Sequence, residues 1–518
     1  MTQTQEARPI FGVSVLETLT VGMYTNPLDC IRELVQNSFD SIRSAVKVGQ
    51  ISAKEGRIDI VLDDSRRSIS VRDNGTGIPS ENARARLSNV GQSLKSLEDD
   101  IGFRGIGRLH GIAYCDRLVF KTSVAGEAVA SVVTFDAKGL RALMSPVERR
   151  NDTAEEILYA CTDLATEPEL ADEHYFEATL IDVSGQVAQL LDFDEVYGYL
   201  SQVAPVDFDT AFYYATKVRK WAQNHGVEVP HASVRLKSTK KERFVFKPYK
   251  TSYKPLRDTK TEDKESERIE VTDVAFYPED GPHCNGVWIW YSKGNLLGQI
   301  GDRNASGIRL RKQNMSVGGA SRIEELIPEA RFNKYFIGEV HVHSQACIPN
   351  ARRDGFEDTR EWAAIRDQLT AFLKEREKEV RTSSNLRSDK VGKAIRGAQI
   401  TAEKILADAA SGITSNQERE KLLRTLDDQK AKLDEIAPAK ITEELKAAYE
   451  AALTEITEAT TGVQNADFVL AQAKGQLDRK QKKLLQDVLE TLRDCLPPDT
   501  FKLARDAIMA RFDSKYPK

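Results

Sequence analysis

Residues 26–107 constrain the fold more than any other stretch. They set one long amphipathic helix, one alternating hairpin and two glycine-rich loops in a row. Asn26 is placed to cap the helix, Pro27 suits its first turn and Gly49 its end. Between them PLDCIRELVQNSFDSIRSAVKV repeats apolar residues at helical spacing. RIDIVLD and SISVRDNG, joined by the turn DSRR, each alternate apolar and polar residues, as the arms of a half-solvated hairpin do. Residues 82–96 read as a helix broken by glycine, with a further helix from Arg108 and strands at LVFKTSV and SVVTFDA. This is an α/β beginning.

The character of the chain then shifts twice. FEATLIDV is strand-like, and FDEVYGYLSQVAPVDFDTAFYYATKVRKWAQ predicts two helices interrupted at Pro205. HASVRLK, GVWIWYS, GIRLRK and GEVHVHS restore strands. Within them, residues 235–260 hold ten Lys or Arg against Glu242 and Asp258, interleaved with Phe244, Phe246, Tyr249 and Tyr253. Basic residues alternating with aromatics suit a nucleic-acid backbone, and a charged insertion explains them equally. Trp288 and Trp290 share a strand face and read as core. His341 and His343 also share a face, but with no third ligand in the pattern they read as structural. After Arg353 the chain becomes rich in Ala, Leu, Glu, Lys and Gln. Leu422, Leu426, Leu433 and Ile436 form one apolar seam, and Ile441, Leu445, Ala448, Ala452 and Ile456 another. Pro438 separates them, and Pro497 with Pro498 sets off a last helix. Antiparallel helical hairpins or a short coiled coil satisfy both seams.

Composition narrows the classes. With 518 residues the chain has material for three or four domains of ~150 residues. Its 74 basic and 79 acidic residues leave a net charge of −5, which excludes a globally basic coat protein for nucleic acid. No run approaches the ~20 apolar residues of a membrane helix, and MTQTQEARPI lacks a signal-peptide pattern. Six scattered cysteines without a CxxC pair read as reduced thiols, so a cytoplasmic protein is expected.

Chemistry concentrates in three places. Glu33, Asn37 and Asp40 fall at i, i+4 and i+7 and share one helix face; alone, that face reads as solvated. The hairpin's second arm ends in Arg72-Asp73-Asn74-Gly75-Thr76-Gly77. Its acid can accept hydrogen bonds from an amino group, and its glycines allow close backbone approach; alone, it reads as an Asn-Gly turn. Ile101-Gly102-Phe103-Arg104-Gly105-Ile106-Gly107 is a loop whose backbone N–H groups can face phosphates; alone, it reads as a flexible loop. No Walker-type GxxxxGK[ST] occurs anywhere.

Taken in order, ExxxN, DxGxG and GxxGxG at these spacings resemble the GHKL ATPase superfamily, which includes gyrase B, the ninety-kilodalton heat-shock chaperone, histidine kinases and MutL. IRELVQNSFDSIR resembles the chaperone's first motif and GFRG the MutL lid. The resemblance implies a Bergerat-type fold that binds ATP and Mg²⁺. Glu33 becomes the general base and Asn37 the ligand whose amide oxygen meets Mg²⁺. Asp40 lies in the same pocket, Asp73 accepts the adenine amino group, and Gly75 and Gly77 fit against the base. Gly102, Gly105 and Gly107 form a lid, with Ser93 and Lys95 where related lids begin. Thr179, after Ala178 where the family usually has Gly, resembles the fourth motif's threonine. A cation from the next domain meets the γ-phosphate. Arg353 in PNARRD is the first choice, Arg352 the second, and Lys312 in GIRLRKQNMSVGG the rival.

The expected architecture is α+β: an α/β-sandwich ATPase domain over residues 1–220, an α/β transducer domain over 221–357 with the basic insertion 235–260, and an all-helical region over 358–518 for dimerisation or partner binding. The expected function is a Mg²⁺-dependent ATPase working as a nucleotide-driven homodimeric clamp, chaperone-like, with a client or partner protein. The alternative is a DNA-associated ATPase of the MutL or MORC kind in repair, silencing or anti-phage defence, with DNA on 235–260. A histidine kinase needs a phosphoacceptor helix ahead of the ATPase domain, and only 25 residues precede the first helix. A scaffold that binds ATP without hydrolysing it is a third alternative, against which Glu33 speaks.

Overall fold

In the computed structural model the described residues are 10–23, 25–91, 105–145, 152–256, 268–283, 286–410, 412–413, 416–437, 441–466, 479–496 and 498–515. The chain divides into two compact units, residues 1–374 and 375–518.

The first unit is organised by two sheets. One has eight strands: β1 (Arg57–Asp63), β2 (Ser68–Asp73), β3 (Arg117–Ser123), β4 (Val129–Asp136), β5 (Thr162–Pro168), β6 (Tyr175–Ile181), β7 (Ser233–Ser238) and β8 (Glu242–Phe244), in the order β5-β4-β3-β6-β2-β1-β7-β8. All pairings are antiparallel except β1 with β7. Helices α1 (Val13–Thr20), α2 (Asp29–Lys47), α3 (Ser80–Ser88), α4 (Ala137–Met144), α5 (Ala154–Ala160) and α6 (Phe193–Val203) belong to this layer. The apolar stripe of α2, with Ile31, Leu34, Val35, Phe39 and Ile42, packs into one core with Ile58, Ile60, Ile69, Val71, Phe120 and Leu180 of the strands. Asn26 caps from one step outside, its Oδ1 accepting the Leu28 N–H, and Gly49 (φ +74°) ends the helix as expected.

The sequence reading is corrected at several elements, first at α1, which precedes the helix taken as the first. The strand HASVRLK, assigned to the second domain by its position after residue 220, lies parallel to β1 with Ile60 opposite Leu236, so the first sheet draws on residues up to 244. A parallel neighbour needs a long crossover, here the stretch carrying α6 and α7 (Ala215–Asn224). In place of a helix from Arg108 there is a tight helical turn, Gly107–Ala113. Gly107 and Gly111 weaken α-helical continuation, and the Arg141 guanidinium takes the Ile112 and Cys115 carbonyls at its end.

The second sheet is β9 (Ser252–Tyr253), β10 (Ile269–Tyr277), β11 (Val287–Gly294), β12 (Gly307–Lys312), β13 (Met315–Ser316) and β14 (Ile337–Val342), ordered β13-β12-β14-β11-β10-β9, with α8 (Ser321–Glu324) beside β12. Trp288 and Trp290 are core, as expected, packed with Phe208, Phe212 and Tyr249. His341 is structural too. It stacks on Trp288 and binds Glu339 at 3.1 Å, and burial pushes it down to about 4, so it is neutral at pH 7. Glu339, fully buried, also takes both carboxylate oxygens to Lys247 Nζ at 2.7 Å, and receives Tyr249 Oη, Trp290 Nε1 and Arg311.

The second unit is helical, and the boundary between the units falls within α9 (Arg360–Ser388). α10 (Lys390–Ala410), α11 (Asn416–Asp434) and α12 (Glu443–Asn465) form an up-down-up bundle. Gln399 donates to Glu455, and Arg419 near the start of α11 reaches the Ala466 carbonyl past the end of α12. Both apolar seams face its core, with Leu426, Leu433, Leu445, Ala452 and Ile456 buried. α13 (Arg479–Cys495) and α14 (Pro498–Lys515) pair through Leu485, Leu489 and Phe501. Pro438 and Pro497 lie outside the described residues. Among the described residues no helix is long and apolar enough to cross a membrane.

Candidate nucleotide site

The helix face carrying Glu33, Asn37 and Asp40 is not a solvated one. Glu33 is 4% exposed and Asp40 1%, while Asn37 between them is half-buried. Two carboxylates taken out of water need partners. For Glu33 these are cations: Oε1 lies 3.1 Å from Arg32 Nη2 and 3.4 Å from Arg353 Nε. Arg32 is itself fixed by Asp29 at 3.0 Å and donates to the Arg352 carbonyl. Tyr199 donates to Asp29 from α6; burial raises the Asp29 carboxyl against the pull of Arg32 and Tyr199. A line Tyr199–Asp29–Arg32–Glu33–Arg353 results, with a small cavity of about 250 Å³ beside its Asp29 end.

The loop that delivers Arg353 is braced. Arg353 has φ +56°, a left-handed conformation unusual for a residue with a side chain. It is held by Arg353 N–H to Asn350 O and Gly318 N–H to Arg353 O. Asn350 Nδ2 donates to Asp354 Oδ1 at 2.7 Å, and Arg322 pairs with the same carboxylate. Strain maintained by its surroundings fits a positioned functional side chain. Lys312 takes another course: its ammonium donates to the Ser344 carbonyl, and burial lowers its pKa. Of the two leading cations proposed for the γ-phosphate, the structure brings Arg353 to Glu33 and turns Lys312 to Ser344.

The Asp73 motif closes on the same helix. Asp73 is buried at the end of β2, and its Oδ1 accepts the Gly75 N–H at 2.9 Å. A Cβ at residue 75 would stand 2.1 Å from Ser41 Oγ on α2. At residue 77 (φ +68°) it would stand 1.9 Å from the Ser123 carbonyl. Both glycines are therefore required by close packing within the protein, against Ser41 and the Ser123 carbonyl. Gly105 (φ +68°) and Gly107 end the lid loop, and a Cβ at 107 would meet Glu33 Oε2 at 2.1 Å. Ser93, Lys95 and Gly102 lie outside the described residues.

Gly107 thus packs directly on the general-base candidate. Gly107→Ala is expected to displace the Glu33 carboxylate and lower ATP turnover at least about tenfold with nucleotide binding kept, because misplacing a reacting group by ~1 Å costs this much or more. Steady-state hydrolysis beside a binding titration checks it, and unchanged turnover defeats it.

Thr179 requires a correction. Residues directly opposite in an antiparallel pair point to the same face. Asp73 pairs with Phe176 and Val71 with Ala178, whereas Thr179 pairs with Ser70. Thr179 therefore lies on the face away from Asp73. The side chain level with Asp73 across β6 and β3 is Thr122, opposite Phe176. It is 1% exposed, accepts the Ile78 N–H at 2.8 Å and donates to the Tyr175 carbonyl at 3.0 Å. Sequence reasoning missed Thr122, because its level with Asp73 is set by the pairing of β2 with β6 and of β6 with β3. It missed Arg32 and Asp29 as well, although Arg32 adjoins Glu33 in the chain.

The basic stretch is tied into the fold. Arg235 pairs with Asp59 and Glu242, Lys241 with Asp194 and Lys247 with Glu339. Tyr249 and Tyr253 are buried, so the expected interleaving of bases with aromatics does not form a surface at those positions. Among the described residues no cluster of three His, Cys, Asp or Glu is arranged for a metal. The donors present instead suit a nucleotide with its own cation: a half-buried amide at Asn37 between two buried carboxylates, and a buried acid at Asp73.

Comparison with known proteins agrees with this site. The family model described as "Histidine kinase-, DNA gyrase B-, and HSP90-like ATPase" matches residues 24–143. The chaperone protein HtpG of Geobacter metallireducens is 25% identical over 158 residues, 27% of this chain and 24% of that one. HtpG of Helicobacter hepaticus is 27% identical over 143 residues, 24% and 23% of the two chains. HtpG of Frankia casuarinae is 26% identical over 179 residues, 29% and 28%. The matched stretch spans about a quarter of the length of these curated relatives.

Proposed function

We propose that this chain, whose N-terminal domain belongs to the GHKL ATPase superfamily close to the Hsp90 chaperones, is a Mg²⁺-dependent ATPase that acts as a chaperone-like homodimeric clamp on a client or partner protein. The reading leans above all on the contact of Arg353 with Glu33, which joins a loop after the second sheet to the carboxylate on α2.

Glu33 orients the attacking water and takes its proton, a role open to a carboxylate within hydrogen-bond reach. Arg32 holds the carboxylate from the helix side. Arg353, already at the site, is placed to move its charge toward the terminal phosphate as negative charge develops there. Asp73 accepts the exocyclic amino group of adenine; guanine presents a carbonyl at that position and meets repulsion. Thr122 fixes the backbone at Ile78 beside the base. Asn37 would offer an amide oxygen to Mg²⁺, which would supply positive charge to the phosphates. ATP orders the lid and draws two N-terminal domains together, and hydrolysis releases them, with the helical region holding the protomers or a partner.

The test is nucleotide binding and hydrolysis by the full chain with and without Mg²⁺. ATP is expected to bind and turn over, GTP to bind far more weakly, and EDTA to abolish turnover. Asp73→Asn is expected to weaken ATP binding about 10- to 100-fold, since a hydrogen bond to a charged acceptor is worth roughly 1.5–3 kcal/mol. Equal affinity for ATP and GTP, or full binding by Asp73→Asn, contradicts the assignment.

A further inference from the structure

We infer that the groove between α7 and the outer edge of β10 is a docking site for an extended polypeptide segment, which adds to β10 as a further strand. β11 covers one side of β10 from Val271 to Tyr277; on the other, among the described residues, β9 pairs with Ile269 and Glu270, and the Thr251 carbonyl accepts the Val271 N–H. Beyond them the outward direction of the backbone is legible. The Thr272 carbonyl accepts the Tyr214 hydroxyl, and the Val274 N–H turns back to the Asp273 carboxylate. With the period of two along a strand, Phe276 directs its N–H and C=O the same way, as does the Val274 carbonyl.

Exposed edges are normally blunted by charge, proline or brevity. β5 carries Asp163, Glu167 and Pro168, β8 has three residues including Glu242 and Arg243, and β13 has two. Val274, Ala275 and Phe276 themselves carry neither charge nor proline; the guards of β10 stand at its flanks, Asp273 before them and Pro278 after Tyr277. The three residues face a groove of about 790 Å³ whose opposite wall is one stripe of α7: Lys217, Lys220, Trp221 and Asn224, with Tyr213 ahead of the helix. Helix stripe and strand edge run side by side, the geometry in which an inserted peptide gains main-chain hydrogen bonds on one side and side-chain pockets on the other.

The chemistry of the occupant follows from the walls. Tyr213 is 79% exposed, and Trp221 lies flat on Phe276 with ring centroids 4.7 Å apart, so an aromatic or branched apolar side chain has a surface to cover. Lys217 is engaged by Asp273. Lys220 pairs with no carboxylate among the described residues, and it calls for an acidic residue next to the apolar one. The inference rests on this edge and helix alone and holds whether or not the nucleotide site turns over.

The experiment uses the full chain and a fluorescein-labelled peptide Val-Thr-Asp-Phe-Val-Thr-Val, followed by fluorescence anisotropy and by hydrogen exchange at residues 274–277. Saturable binding with slowed exchange of the Phe276 amide is expected. N-methylation of alternate peptide amides is expected to weaken binding about tenfold or more, because the ladder cannot form. Lys220→Glu and Tyr213→Ala are each expected to weaken it severalfold, and the distant surface change Lys54→Glu to leave it unaltered. Absence of binding overturns the proposal, as does equal binding of the N-methylated peptide. Protection of Phe276 that appears with rising protein concentration and no peptide makes a second copy of the chain the occupant and overturns the assignment to a peptide.

Discussion

Alanine in place of Glu33 is expected to leave adenine nucleotide bound and to lower ATP turnover by roughly 10²- to 10⁴-fold, the range for losing a general base. The expectation is sharp because little else near Glu33 can take its place. Arg32 and Arg353 touch it and cannot accept a proton at neutral pH, and the buried His110 within its electrostatic reach is pushed down to about 4 by burial, which makes it a weak base. Asp40, a helical neighbour on the same face, is 1% exposed and two turns on. Removing the carboxylate also takes one negative charge from beside the proposed phosphate site, so affinity for ATP is expected to hold or rise. Glu33→Gln separates shape from charge: it keeps the side chain's volume, and its single-turnover rate should fall like that of alanine. Turnover in either variant within about threefold of wild type removes Glu33 from the chemistry and leaves Mg²⁺-activated water without a base from α2.

The sequence carried those parts of the fold whose period was strong. The α2 stripe and the β1–β2 hairpin were legible because one core face repeats at 3.6 residues and then at two. The site's acid, amide and glycines were legible because they sit on these elements at fixed spacing. What failed did so through partners distant in sequence. β5 has no alternation to read, since all but its first residue is exposed, and only pairing with β4 makes it a strand. β7 looked like the start of another domain until its parallel pairing with β1 placed it in the first sheet. Thr179 shows how narrow the margin is: moving the motif by one residue along β6 sends the side chain to the opposite face, and no local signal marks which residue stands level with Asp73. Arg353 was singled out because its loop resembles a known one, and the structure sets it 3.4 Å from Glu33. Its braces at Gly318, Arg322 and Asn350 could not be singled out, because they arise from tertiary contacts.

Glu339→Ala is expected to produce the largest loss of stability of any single substitution in the first unit. The carboxylate is fully buried and gathers Lys247 and Arg311, with Tyr249, Trp290 and His341 completing its shell. Burial alone pushes such a carboxyl up, but Arg311 and Lys247 pull it further down, and it stands well below the usual carboxylate range. Removing it strands the Arg311 guanidinium in the core and leaves Lys247, which burial already pushes down to about 7, to shed its proton, a loss of about 3–5 kcal/mol by precedent for broken buried pairs. At roughly 1.3 °C per kcal/mol for a unit of 374 residues, the transition of the first unit should fall by about 5 °C in a calorimetric scan. The sign with pH follows from the depressed value. The stabilisation is fully present above the carboxyl's ordinary value near 4.5 and is lost as the pH falls through the lower value it has in the fold, so wild type and variant should converge only in acid. A triple variant, Lys247→Met with Arg311→Met and Glu339→Leu, tests whether charge is the cause. Apolar side chains of similar volume leave no charge stranded, and stability should return to within about 2 kcal/mol of wild type. A Glu339→Ala protein that melts like wild type sinks the argument. So does a triple variant no more stable than the single one, which would make the hydrogen bonds of Tyr249 and Trp290, and not the ion cluster, the principal contribution of this carboxylate.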